Sequence, residues 1–157
     1  MKNKEVVRYK QQLDDLFEKI NILPGDSEIR SHWARYLCVR VSGFLEVSVR
    51  AIYGQYADNK ASPFVASYVK SQLSSFQNPN MEKILNISRA FNPAWAERLE
   101  EITEGEIRDA IISIVNARHS IAHGGATGIT YSKISNYYKS AIKLVELLEK
   151  QCDGDCI

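Results

Sequence analysis

The stretch NARHSIAHGG, residues 116–125, puts Arg118, His119 and His123 at the end of an apolar, helix-periodic run and closes on two glycines. Arginine and histidine at this spacing suit two chemistries. In the first, a histidine moves protons while an arginine stabilises charge building on a phosphoryl group. RNA cleavage without a metal needs both, because the ribose 2′-oxygen must lose a proton and the leaving 5′-oxygen must gain one. In the second, His119 and His123 act as an HxxxH metal pair. That pair wants a third ligand, yet His32 is remote in sequence and no HExxH signature is present. The expectation is therefore no metal and no other cofactor.

The helix carrying these residues makes the arginine unusual. With each residue advancing about 100° around the axis, Ile107, Ile111, Ile114, Val115, Ile121 and Ala122 fall within roughly 60° of Arg118. Glu106, Asp109, Ser113 and Asn116 fall on the other side. A guanidinium keeps its charge in a protein, so burying it without a partner is expensive. The partner is a carboxylate of this chain, the surface of a partner subunit, or a phosphate-bearing ligand. Glu46 is the natural intramolecular choice, since it stands amid Gly43, Phe44, Leu45 and Val47; the plain structural reading is a buried Arg118–Glu46 ion pair. His119 and His123, four residues apart, share a helix face. Gly124 is a natural left-handed stop that leaves His123 at the helix end, free to turn towards a crevice.

The elements that must position these groups read as helices almost throughout. Val6, Val7, Leu13, Leu16, Phe17 and Ile20 give a first helix near residues 3–22. Pro24-Gly25-Asp26-Ser27 is a turn with Asp26 or Ser27 as N-cap, followed by a long helix from about Glu28 to Gln55. Ser62-Pro63, Asn78-Pro79 and Asn92-Pro93 each place a capping side chain before a proline, which predicts helix starts near 63, 79 and 93. Thr103 with Glu106 fits a capping box that opens the helix bearing the motif. A last helix runs from about Thr130 to Lys150, leaving residues 151–157 as a flexible tail. No segment alternates long enough to make a strand. The expected fold is an all-α bundle of five to seven helices, forming a single domain over residues 1–157.

Arg118-His119-Ser120-Ile121-Ala122-His123 resembles the signature of the HEPN superfamily, in which an Arg, a polar residue, a few more residues and a His end a helix of an all-α bundle. The "IAHG" ending is similar too. The SGFLEVSVR stretch with its embedded acid, the SSFQNPNMEKIL segment and the helix after the motif look like the branch called RiboL-PSP-HEPN, over nearly the whole chain. The resemblance implies a metal-independent endoribonuclease, a toxin or phage-defence effector, whose two motifs meet across a homodimer interface. An antitoxin or regulatory protein is an implied partner beside the RNA substrate. Carried over by position, Arg118 and His123 are the catalytic residues, supported by His119, Glu46 and Asn116. The alternative is a catalytically silent HEPN-type module that binds a partner or a nucleotide with the same apolar stripe.

Composition narrows the partners. Twenty basic and nineteen acidic residues leave a net charge of +1, so any RNA contact is a local patch. Lys133 and Tyr131, in and beside the glycine-rich loop, are the candidate phosphate and base contacts; Tyr137 and Tyr138 are expected to pack in the bundle. No apolar run approaches the roughly 18–20 residues of a membrane span and no signal-peptide pattern opens the chain, which points to the cytoplasm. Cys152 and Cys156 have no His or Cys cluster beside them.

Overall fold

The structure is a computed structural model, which describes residues 1–23 and 27–154. Among the described residues there are seven helices and no strand: α1 (Lys4–Asn21), α2 (Ser27–Lys60), α3 (Pro63–Leu73), α4 (Met81–Phe91), α5 (Pro93–Thr103), α6 (Glu106–Ala122) and α7 (Tyr131–Asp153). This is the all-α bundle expected from the periodicity. The turn at Pro24-Gly25-Asp26, and Cys156 in the segment 155–157, lie outside the described residues.

The 34-residue α2 is the central post and packs against α1, α3, α6 and α7. Leu37, Val41, Phe44, Leu45 and Val49 are buried along it. They meet Leu13 and Phe17 of α1, Ile111 and Ile114 of α6, and Ile134, Leu144, Val145 and Leu148 of α7. Each such side chain gains about 1.5–3 kcal/mol from leaving water, so α6 is anchored on two sides before any polar contact is counted.

Side-chain caps fix where most helices begin. Asn3, Asn80, Asn92 and Thr130 each accept a backbone N–H in the first turn of α1, α4, α5 and α7. Ser62 stands at the cap of α3 without a side-chain bond. Two starts differ from expectation. Helix α4 begins at Met81 behind Asn80 rather than at Pro79, because Asn78 turns the chain with φ +54°. Asparagine tolerates that left-handed conformation better than most residues. The capping box at Thr103 does not form either. Thr103 ends α5 and its hydroxyl donates back to the Leu99 carbonyl at 2.7 Å. Gly105, at φ +89°, makes the corner into α6.

The far end also differs. Helix α7 continues through Asp153, and Gln151 is only 2% exposed. Its amide donates to the Tyr53 hydroxyl at 3.0 Å and to Ser88 Oγ at 2.9 Å, tying α7 to α2 and α4. Residues 151–153 are thus helix, not flexible tail. No helix among the described residues is long and apolar enough to cross a membrane.

Candidate functional site

Helix α6 presents its motif residues from the border between core and open surface. Ala110, Ile111 and Ile114 are buried and Ile107, Ala117 and Ile121 half-buried, all at or on one side of Arg118 around the axis. On the other side, Ile112 is 42% exposed, and His119 and Ala122 are exposed as well. Arg118 itself is half-buried. The apolar stripe is wider than the surface that α2 and α7 cover, and the guanidinium sits where the cover ends.

Its partner is not a carboxylate. Arg118 Nη1 donates to Asn78 Oδ1 at 2.6 Å, and the backbone N–H of Asn78 donates to Glu46 Oε1 at 3.0 Å. No direct ion pair joins Arg118 to Glu46, which corrects the buried pair suggested by the sequence. Asn78 stands between them, its left-handed backbone aiming the N–H at α2 and its side chain at α6. The carboxylate therefore favours the cation through one intervening amide, and among the described residues the other guanidinium donors have no hydrogen-bond partner. Sequence reasoning missed Asn78 by reading Asn-Pro only as a helix cap.

The helix end is closed by a Schellman turn. The Gly124 N–H bonds the Ile121 carbonyl at 3.1 Å, the Gly125 N–H bonds the Ser120 carbonyl at 2.7 Å, and Gly124 takes φ +71°. Arg35 of α2 reaches across to the Gly125 carbonyl at 3.5 Å, and the Cys38 thiol donates to the Ile114 carbonyl at 3.5 Å. Burial pushes the Cys38 thiol up to about 11, so it is a packing group rather than a nucleophile. Burial, with help from Asp153 and Glu149, likewise pushes Cys152 up to about 12.

His123 occupies the C-cap and His119 lies one turn before it. Their ring centroids are 4.5 Å apart with planes inclined at 59°. Both are exposed, and neither imidazole bonds a described residue. Arg118, His119 and His123 therefore occupy the last turn and a half of α6, the two imidazoles about 100° and 140° around the axis from Arg118. Asn116, about 160° from Arg118 around the helix but on the side of the two histidines, lines a polar groove of about 340 Å³ with Ser120, Lys133 and Tyr137. Tyr137, expected in the core, is half-buried at that groove. Tyr131 is held elsewhere, its hydroxyl donating to the Phe17 carbonyl at 3.0 Å and its ring 6.0 Å from Phe17. Among the described residues no three His, Cys, Asp or Glu side chains cluster as a metal site.

Residues 4–154 match the family RiboL-PSP-HEPN. The chain belongs to that family. No curated protein and no solved structure matches it. The RiboL-PSP-HEPN match spans every described helix.

Proposed function

We propose that this RiboL-PSP-HEPN chain is an endoribonuclease that cleaves RNA without a metal ion, using Arg118 and His123. The observation that carries the reading is the presentation of Arg118. Its charge is steadied by Asn78 and Glu46 but not neutralised in a closed ion pair, and the exposed His123, its ring 4.5 Å from that of His119, ends the same helix. A guanidinium so held favours negative charge developing on a phosphoryl group.

In the reaction a base takes the 2′-OH proton, and the 2′-oxygen attacks phosphorus. The P–O5′ bond then breaks as an acid protonates the leaving oxygen. The products are a 2′,3′-cyclic phosphate and a 5′-hydroxyl. One His123 supplies one proton-transfer group; a two-fold homodimer supplies two, one as base and one as acid. The open flank of α6, with Ile112 and Ala122, is the face that supports such a contact. His119 orients the phosphate or His123. Lys133 offers a phosphate contact beside the polar groove, whereas Tyr131 serves the packing of α1 and α7. A ribonuclease of this kind acts as a toxin or defence effector and is restrained by a neutralising partner.

The test is cleavage of varied RNAs in EDTA. Wild type is expected to cut and leave cyclic-phosphate ends, with losses of about 10²–10³-fold in Arg118→Ala and about 10²–10⁴-fold in His123→Ala. Equal cutting by all three proteins, or none by wild type, would leave the silent interaction module as the better reading.

A further inference from the structure

His119 and His123 hold an arrangement that proton transfer alone does not require. The two rings stand one helical turn apart on open surface, their centroids 4.5 Å apart. A metal bound to an imidazole nitrogen at 2.0–2.1 Å lies about 3 Å from that ring's centre. Two rings sharing one ion at close to a right angle then have centres about 4.5 Å apart, and opening to a tetrahedral angle adds less than about 1 Å. The observed separation already falls at the lower end of that range, so the spacing of the two exposed rings suits one shared ion.

We propose that His119 and His123 form a two-point site for a divalent transition metal of the zinc class, and that occupancy switches the helix end off. Imidazole suits zinc, copper and nickel, whereas magnesium and calcium demand oxygen ligands. An ion on the imidazole nitrogen of His123 removes the lone pair that would accept a proton. The switch rests on the ribonuclease reading; the metal site does not. Arg118 is a like charge nearby, but its guanidinium is drawn to Asn78 at 2.6 Å with the Glu46 carboxylate behind. Two ligands and a neighbouring cation set an affinity well below that of a three- or four-ligand zinc site. Water, or the same pair from a second copy, completes the coordination.

The experiment titrates zinc and nickel into the full chain by calorimetry. The proteins are wild type, His119→Ala, His123→Ala and a control carrying His32→Ala, Cys152→Ser and Cys156→Ser. Wild type and control are expected to bind alike. Each motif variant should lose at least as much affinity as the loss of an outer-shell partner brings, about 10–100-fold, with an unchanged helical circular-dichroism melt. Nickel should broaden the imidazole proton signals of His119 and His123 and spare those of His32. Binding undiminished in both motif variants, or no binding by wild type, overturns the site. RNA cleavage in the same samples tests the other half. Cleavage by the metal-free protein that persists at saturating zinc overturns the switch. Zinc binding to a protein that cuts no RNA overturns the ribonuclease reading and leaves the metal site standing.

Discussion

At Arg118 a charge is kept half in water and half over the core, and Asn78 holds it there with one 2.6 Å bond. Asn78 does two jobs at once, which separate substitutions can part. Asn78→Gly keeps the left-handed backbone and the N–H to Glu46 but removes the side-chain acceptor. It should leave the melting temperature close to wild type while lowering kcat for RNA about tenfold, in line with one lost neutral-to-charged hydrogen bond of about 1.5 kcal/mol. Asn78→Asp keeps an acceptor and should restore most of kcat. Asn78→Ala adds a left-handed penalty of about 1–2 kcal/mol and should lower stability as well. Equal kcat in the glycine and aspartate variants, measured by single-turnover cleavage, would remove Asn78 from the positioning of Arg118.

At the level of the helix, the turn that ends α6 fixes the position of His123 at the C-cap. The turn needs Gly124 at φ +71°, and Arg35 draws the following loop back onto α2. A Cβ on Gly124 would meet nothing within 4 Å, so the cost of Gly124→Ala is backbone strain alone, about 1–2 kcal/mol. For a chain of this size that is a fall of roughly 2–8 °C in melting temperature, at about 2–4 °C per kcal/mol. Because His123 is the residue immediately before, cleavage should fall by more than the small loss of folded protein explains. An unchanged melt would mean that the turn relaxes to another conformation.

For the whole molecule, the open flank of α6 is where a second copy would sit. Ile112 is 42% exposed there, about two turns before His119 and on the same side of the helix. Ile112→Glu places a charge on that flank without touching the core, so the melt should move by no more than a few degrees. In a homodimer with a composite site it should yield monomer by light scattering and cut RNA cleavage at least about tenfold, since proton transfer by a second group contributes about 10²–10⁴-fold. Wild type that is already monomeric at micromolar concentration would dismiss the composite site.

Much of this molecule follows from local pattern. Helical periodicity and asparagine or threonine caps are short-range effects, so six of the seven helices begin within about two residues of where the sequence puts them. The motif is equally local. Its residues lie within two turns of one helix, and the common face of His119 and His123 follows from 3.6 residues per turn. What the sequence could not reveal depends on which surfaces meet. Asn-Pro looks the same as a cap or as a left-handed bend, and only the approach of α2 and α6 made Asn78 a bend bridging Glu46 and Arg118. Helical position alone placed Arg118 in the apolar stripe. The tertiary structure decided that the stripe is covered on one side only, because α2 and α7 are too few to wrap a face that broad, and the charged group settled at the uncovered edge.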